Sequence, residues 1–201
     1  MTVKTPLVFA GQRVGIMGGT FNPAHAGHGI VAETAAKRLL LDQLWIVVTP
    51  GNPLKANGGL PPLQERMRDA RTFAKQPRMK VTSFEAELGT PYTAAMLAFL
   101  KRRHPGVHFV WVMGADNLAS FDRWQYWQSI AAAFPIAVVD RPGWRLKALS
   151  AHAGAMLGEH RVPEQRAAGL ALMRPPAWTL LTTRLSSLSS TAIRAGRSNV
   201  A

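Results

Sequence analysis

Short apolar runs alternate along the chain with longer segments whose apolar residues recur every three or four positions. A short apolar run bounded by Gly, Pro or polar residues favours a buried strand. The longer periodic segments favour amphipathic helices. The predicted strands lie at 14–17, 44–48, 79–83, 107–113, 136–139 and 178–182, and the predicted helices at 29–41, 63–74, 92–104 and 124–133, with weaker helical segments at 148–157 and 163–173.

This alternation of strands and helices predicts the fold class. It indicates an α/β protein with a doubly wound parallel sheet and a small helical C-terminal part. In such a sheet the ligand site lies at the carboxyl ends of the strands. Residues 50–62 are dense in Pro, Gly and Asn and are predicted to form a loop. Because no repeat or interdomain linker interrupts the pattern, we expect residues 1–201 to form a single domain.

The composition narrows the kind of protein. The chain has no cysteine, which excludes disulfides and thiolate metal sites and suits a reducing cytosol. No apolar run approaches the length that spans a membrane, and the run at 6–10 is too short for a signal peptide. We therefore expect a soluble, cytoplasmic protein without a membrane partner.

The net charge of +13 raises the question of a nucleic-acid partner, because strongly basic chains often bind nucleic acids. The basic residues are spread along the whole length, however, and only Lys101-Arg102-Arg103 forms a compact run. That run ends a predicted helix, where cations favour the negative end of the helix dipole. We interpret it as a solvated helix end and expect no nucleic-acid partner. A basic surface also suits polyphosphate ligands.

One glycine-rich stretch, 18–28, joins the first predicted strand to the helix that follows it. Glycines there let the backbone approach a ligand closely, and the free N–H groups of a first helical turn attract an anion. His25 and His28 are expected on one side of the helix start, where imidazoles can donate to phosphate oxygens. The stretch is neither a Walker loop nor Gly-x-Gly-x-x-Gly. The alternative interpretation is a turn residue at His25 and a helix cap at His28.

The stretch resembles the Gly-x-Phe-x-Pro-x-His-x-Gly-His signature of the nucleotidylyltransferase superfamily. Every specified position matches, at Gly19, Phe21, Pro23, His25, Gly27 and His28. Residues 188–194 are similar to the second signature of that superfamily, Ile-Ser-Ser-Thr-x-Ile-Arg, with Leu188 in place of the first Ile. By itself, Ser-Ser-Thr before a helix is also ordinary capping. Two signatures near opposite ends of one chain favour membership of the superfamily.

Further segments narrow the family. They are residues 50–55, 91–93, 114–117, 121–124 and 141–143. The whole set resembles the bacterial nicotinate-nucleotide adenylyltransferases over about residues 13–196. This resemblance implies a Rossmann-like nucleotidylyltransferase fold and an enzyme of NAD biosynthesis. Its substrates would be ATP and nicotinate mononucleotide, its products nicotinate adenine dinucleotide (deamido-NAD) and pyrophosphate, and Mg²⁺ would accompany ATP.

The resemblance also implies roles by position. His25 and His28 would be catalytic and would bind ATP phosphates. The rest of the ATP side would comprise Gly18, Gly19, Thr20, Phe21, Gly114, Asp116, Ser189, Ser190, Thr191 and Arg194. The acceptor side would comprise Lys55, Tyr92, Thr93 and Trp124, with the indole stacked on the pyridine ring. No residue is assigned to hold a metal ion.

Several of these residues allow a structural role instead. Trp124 precedes Trp127 by three positions, and an aromatic pair on one helix face usually belongs to the core. Asp116 after glycine suits a turn or a helix cap, and Lys55 in a loop is by default solvated. Arg141, before Pro-Gly, is interpreted as a turn residue outside the site.

One position departs from the family pattern. Many relatives carry His before the lysine of the 50–62 loop, whereas this chain has Leu54. The phosphate contact there would depend on Lys55 and the loop backbone.

Other kinds of protein compete with this interpretation. A pantetheine-phosphate adenylyltransferase of the same superfamily is usually shorter and carries Thr at the position of His25. A non-catalytic nucleotide sensor or a basic nucleic-acid-binding module would be a different class of protein. The presence of His25, His28 and Arg194 argues against a sensor. The sequence leaves open whether the chain forms a homo-oligomer.

Overall fold

The computed structural model of the chain describes residues 3–51 and 59–183. In that part of the chain six strands form one fully parallel sheet. They are β1 Arg13–Gly19, β2 Gln43–Val48, β3 Met79–Thr82, β4 His108–Gly114, β5 Ile136–Val139 and β6 Trp178–Leu181. Their order across the sheet is β3-β2-β1-β4-β5-β6.

The direction in which strands are added reverses between β1 and β4. From β1 the chain adds β2 and β3 on one side, then crosses back and places β4 on the other side of β1. In this register Ile16 of β1 pairs with both Trp45 of β2 and Trp111 of β4. At such a switch point the loops behind the two strands diverge. A crevice for a ligand therefore opens at the carboxyl ends of β1 and β4.

Helices cover both faces of the sheet. The α-helices are α1 Ala26–Arg38, α2 Leu63–Phe73, α3 Thr93–Arg103, α4 Ala115–Leu118, α5 Trp127–Ala133, α6 Arg145–Ser150 and α7 His152–Met156. Segments of 3₁₀ helix lie at Phe84–Leu88, Phe121–Arg123, Gly158–His160 and Glu164–Leu172. Across the described ranges, no helix has both the length and the apolar character needed to cross a membrane.

The strands contribute to two cores, one on each face of the sheet. Val14 and Ile16 of β1 are buried in the core that α3 and α5 cover. Leu44 and Ile46 of β2 are buried in the core that α1 and α2 cover. Because helices cover both faces, neighbouring residues of a strand are apolar alike, and the strands form continuous apolar runs in the sequence.

The predicted fold class is confirmed, and each predicted strand is present within two residues of its expected bounds. The helix boundaries differ more. The first helix starts at Ala26 rather than at 29, and residues 84–88, for which no helix is predicted, form a 3₁₀ helix. The helix predicted over 124–133 begins only at Trp127, because Tyr126 has a φ of 57°, a left-handed conformation outside the helical region. Trp124 therefore lies before this helix and not on its face.

Candidate active site

The two histidines lie where the chain passes from β1 to α1. His25 is the N-cap of α1 with extended backbone, and His28 belongs to the first turn. Their imidazole rings stack, with centroids 3.8 Å apart and planes inclined by 29°. The rings are therefore side by side, as their spacing in the sequence predicts.

His28 is held by aromatic rings and by the backbone. Its ring meets Phe21 edge to face, with centroids 5.0 Å apart, and lies 5.7 Å from the ring of Phe73 in α2. Its Nδ1 accepts a hydrogen bond from the backbone N–H of His25, at 3.3 Å. In the neutral ring the proton is therefore on Nε2, which makes Nε2 the hydrogen-bond donor.

His25 is a buried imidazole whose nitrogens are unsatisfied. The residue is only 8% exposed, and neither Nδ1 nor Nε2 has a hydrogen-bond partner in the described structure. The pKa of His25 falls to about 4, mainly because burial disfavours the cation; Arg141 adds to this shift and Asp116 opposes it. The ring is therefore neutral at neutral pH. Because buried polar atoms are normally paired, these nitrogens are suited to a ligand.

A charged pair lies close to His25, at the ends of β4 and β5. Oδ2 of Asp116, in α4, is 3.2 Å from Nη1 of Arg141, which follows β5. The other oxygen, Oδ1, is buried and has no hydrogen-bond partner among the described residues. Gly114 leaves room for this pair, since a Cβ there would collide with Asp116 Oδ1 and lie 3.0 Å from Arg141 Cδ. Arg141 begins a turn, as the sequence indicates, since its carbonyl accepts a hydrogen bond from the N–H of Trp144; its side chain, however, pairs with Asp116, a predicted site residue.

A pocket of about 310 Å³ opens beside the glycine turn. Its lining comes from β1 and β4, from the loops after β1 and β2, from the start of α3 and from the 3₁₀ segments Phe84–Leu88 and Phe121–Arg123 with the two residues that follow the latter. It comprises Gly18, Gly19, Thr20, Thr49, Gly51, Glu85, Pro91, Tyr92, Thr93, Met96, Trp111, Arg123, Trp124 and Gln125. The predicted acceptor residues Tyr92, Thr93 and Trp124 thus meet in one cavity. Three residues predicted for the ATP side, 18–20, line the same cavity. Its volume is typical of small-molecule sites.

Two tryptophans contribute apolar surface to this pocket. Trp124 is partly buried and meets Trp111 of β4 edge to face, with ring centroids 6.0 Å apart. Phe121 contacts Trp124 in the same manner, at 5.5 Å. Gly18 allows Trp111 to approach the glycine turn, because a Cβ at position 18 would lie 2.8 Å from Cη2 of Trp111. Trp111 therefore contacts both Trp124 and the glycine turn.

One buried arginine connects the loops around the pocket. Arg66 of α2 is 3% exposed, and its guanidinium donates hydrogen bonds to four carbonyl oxygens at 2.7–3.3 Å. The acceptors belong to Thr20 after β1, to Thr49 and Pro50 after β2, and to Pro61 before α2. A single cation therefore positions the glycine turn against the loop that leaves β2.

Other predicted site residues are placed differently or are not described. Phe21 is 3% exposed and its ring packs against Gly19, so a contact with ATP would involve its backbone. The residues predicted from the 50–62 loop and the second signature lie outside the described ranges: Leu54, Lys55, Ser189, Ser190, Thr191 and Arg194.

Four residues near the site are missing from the sequence prediction: Glu85, Trp111, Arg66 and Arg141. Arg141 directly follows β5 and its neighbour Asp140, and Glu85 comes shortly after β3, so position at the carboxyl end of a strand could have indicated both. Arg66 falls on the apolar face that Leu63 and Ala70 define, and a charge on that face is a sign of burial.

His25 and Glu85 give the stability of the fold opposite pH dependences. The pKa of His25 drops from 6.5 in the unfolded chain to about 4 in the folded protein. Its contribution to the free energy of unfolding is therefore lost as the pH falls through this interval. Burial raises the pKa of Glu85 from 4.5 to about 7, so its contribution is present at low pH and is lost as the pH rises through this second interval.

We expect these two contributions to oppose each other between about pH 4.5 and pH 6.5, where each changes by at most about 1.4 kcal/mol per pH unit. Relative to wild type, the free energy of unfolding should then rise with pH in Glu85→Gln and fall with pH in His25→Gln. Urea unfolding of the three proteins across this interval measures both slopes. Subtracting the wild-type free energy of unfolding from that of each variant cancels the effect of the other titrating groups. Differences that do not vary with pH would contradict the prediction.

Comparisons with known proteins agree with this geometry. The cytidylyltransferase-like family model matches residues 16–196. A protein of Rhizobium johnstonii named "Probable nicotinate-nucleotide adenylyltransferase" is 55% identical over 189 residues, which cover 94% of this chain and 95% of the relative. A protein of the same name from Brucella abortus is 54% identical over 181 residues, covering 90% and 93%.

A solved structure shares the fold. It is the Plasmodium falciparum nicotinic acid mononucleotide adenylyltransferase complexed with NaAD, with a TM-score of 0.68. The match covers 92% of this chain and 83% of that one, at 17% sequence identity. A likeness at this identity establishes the common architecture, the Rossmann-like sheet with its switch point at β1 and β4.

Proposed function

We propose the reaction of this protein from one premise: the chain belongs to the cytidylyltransferase-like family and, within it, to the nicotinate-nucleotide adenylyltransferases. The protein transfers the adenylyl group of ATP to nicotinate mononucleotide, giving nicotinate adenine dinucleotide and pyrophosphate in NAD biosynthesis. The observation that carries this proposal is the 55% identity to a relative of that name over 94% of the chain.

The transfer needs no covalent intermediate with the protein. A phosphate oxygen of nicotinate mononucleotide attacks the α-phosphorus of ATP, and the bond from that phosphorus to the bridging oxygen of the pyrophosphate breaks in line. Charge is redistributed over phosphate oxygens during this step, so catalysis consists of positioning and electrostatic stabilisation. Imidazoles, backbone N–H groups and an arginine are groups suited to this task.

The phosphates of ATP bind at the start of α1. Support comes from Nε2 of His28, which is a donor, and from the nitrogens of His25, which lack partners in the described structure. Negative charge on a bound triphosphate would raise the pKa of His25 and favour its protonated form. The cation of Arg141 is close enough to His25 to influence its pKa, and it adds positive charge to the same region.

The remaining contacts to ATP are assigned from the positions that match the signatures of the family. Gly18, Gly19 and Thr20 offer backbone groups beside the histidines, and Gly114 and Asp116 border the crevice on the β4 side. Ser189, Ser190, Thr191 and Arg194 would add hydroxyl and guanidinium donors from the second signature, as the sequence predicts.

The acceptor nucleotide occupies the pocket. Tyr92 is the N-cap of α3 and Thr93 its first residue, so the first N–H groups of this helix lack intrahelical partners and can bind the carboxylate of the ring. Trp124 stacks on the pyridine ring. Lys55, predicted from the sequence, binds the phosphate of the nucleotide.

Mg²⁺ would accompany ATP, since in proteins this ion is usually held by substrate phosphates together with one or two carboxylates. Asp116 fits this requirement, because its buried Oδ1 has no hydrogen-bond partner among the described residues. When bound, the ion neutralises charge on the triphosphate. Within residues 3–51 and 59–183, no group of three His, Cys, Asp or Glu side chains could hold a metal ion unaided.

Pyrophosphate release from ATP tests this function, with nicotinate mononucleotide, nicotinamide mononucleotide or phosphopantetheine as acceptor. We expect kcat/KM for the nicotinate form to exceed that for the amide by about ten- to a hundredfold, since the amide NH₂ leaves a desolvated N–H donor unpaired. Turnover with phosphopantetheine alone would indicate the related adenylyltransferase. Salt-dependent binding to DNA or RNA without pyrophosphate release would favour a nucleic-acid-binding module.

Trp124→Ala is expected to raise the KM for nicotinate mononucleotide by about tenfold or more, with the KM for ATP almost unchanged. The reason is the lost stacking and apolar contact with the pyridine ring, which is worth about 1–3 kcal/mol. Steady-state kinetics with each substrate varied in turn measures the two constants. Trp144→Ala, which removes an exposed indole before α6, is the control. An equal rise in both KM values would contradict stacking on the acceptor.

A further inference from the structure

The pocket contains a buried carboxyl group to which the proposed mechanism gives no role. Glu85 belongs to the 3₁₀ segment Phe84–Leu88 and is only 1% exposed, yet it lines the cavity together with Tyr92, Thr93 and Trp124. Its Oε2 has no hydrogen-bond partner in the described structure. Burying a polar group without a partner is costly, so such a group in the wall of a ligand pocket is suited to a ligand.

No charged neighbour accounts for the raised pKa of Glu85. The other ionisable side chains that line the pocket are Arg123 and Tyr92, and both are exposed. Glu87, on the same 3₁₀ segment, and Lys80, on β3, are exposed as well. Burial raises the pKa of Glu85 to about 7, and no charged group contributes to the shift. Near and below neutral pH the pocket therefore presents a carboxylic acid, which is a hydrogen-bond donor.

We propose that Glu85 is a specificity-determining residue for the acceptor: its carboxylic acid donates a hydrogen bond to the ring carboxylate of nicotinate mononucleotide. The inference rests on the proposed function and adds a side-chain donor to the backbone N–H groups at the start of α3. A carboxylate has about four lone-pair positions, so it accepts from both. An O–H···O⁻ bond is charge-assisted and stronger than the bond that the same acid would make to a neutral amide.

The ionised form of Glu85 has the opposite preference. A second carboxylate in the same buried space repels the nicotinate carboxylate, whereas the NH₂ group of nicotinamide can donate to it. The preference for the acid over the amide therefore decreases as Glu85 loses its proton. A carboxylate of Glu85 that instead accepted hydrogen bonds from the ribose hydroxyls would affect both nucleotides alike, since both carry the same ribose.

The test is the ratio of kcat/KM for nicotinate mononucleotide to kcat/KM for nicotinamide mononucleotide, measured by pyrophosphate release as a function of pH. Both nucleotides carry the same phosphate and use the same ATP site, so other titrations cancel in the ratio. Because kcat/KM reports the ionisation of the free enzyme, the wild-type ratio should fall about tenfold between about pH 6 and pH 8.

The variants separate this role from a structural one. Glu85→Gln keeps a neutral donor of the same size, so its ratio should not change with pH. Glu87→Gln, which alters the exposed carboxyl of the same segment, should retain the wild-type profile. If the ratio does not change with pH in an active wild-type enzyme, the role of Glu85 is overturned but the proposed function is not. This measurement needs no folded variant. A ratio that falls equally in Glu85→Gln also overturns it. Absence of turnover with nicotinate mononucleotide overturns the proposed function as well.

Discussion

Replacing His28 with alanine is expected to lower kcat for adenylyl transfer by about a hundredfold or more, the effect of losing one preorganised donor. The ring is positioned by Phe21 and Phe73, and the N–H of His25 donates to Nδ1, so the ring proton is on Nε2, the donor that we expect to contact a phosphate oxygen. Such a donor stabilises charge in the transition state without having to reorganise. The measurement is pyrophosphate release with both substrates saturating.

The control must distinguish a loss of catalysis from a loss of folding, because the ring of His28 also packs against its neighbours. Thermal unfolding of His28→Ala reports whether the fold is intact. His160→Ala, which removes an exposed imidazole from the 3₁₀ segment Gly158–His160, should keep the wild-type kcat. A folded His28→Ala protein with near-normal turnover would show that His28 is not catalytic.

Replacing Arg66 with methionine is expected to lower the free energy of unfolding by about 3 kcal/mol or more. Methionine fills much of the same volume but leaves four carbonyl oxygens without their shared donor. Each buried acceptor that stays unpaired costs about 1–3 kcal/mol, and entering water offsets part of the sum. Urea unfolding at neutral pH measures the change.

Two further variants define what Arg66 does. Arg68→Met removes an exposed arginine from the same helix and should change the free energy of unfolding little. Arg66→Lys keeps the charge, but an ammonium lacks the planar fork of five donors that reaches carbonyls of three separate segments. We expect its stability to lie between those of wild type and Arg66→Met. Equal stability of Arg66→Met and Arg68→Met would mean that the four hydrogen bonds contribute nothing.

The sequence by itself determines the sheet and the start of the site. The run Ile136–Val139 is predicted to the residue, because a strand covered on both faces must be apolar throughout and this one is bounded by Pro135 and Asp140. The side-by-side placement of His25 and His28 is likewise local, since it follows from helix geometry over three residues. Both predictions use only the relation between residues that are close along the chain.

The tertiary structure decides which charged residues are buried and what they face. Arg66, Glu85 and Arg141 belong to a helix, a 3₁₀ segment and a turn, and charged side chains are by default solvated. The fold instead buries Arg66 among carbonyls from three segments, places Glu85 in the wall of the pocket and pairs Arg141 with Asp116. Trp124 likewise leaves the predicted helix because Tyr126 adopts a left-handed conformation. The apolar face of α2 indicates that Arg66 is buried, but the partners of these side chains come from segments distant in the chain, which no local pattern identifies.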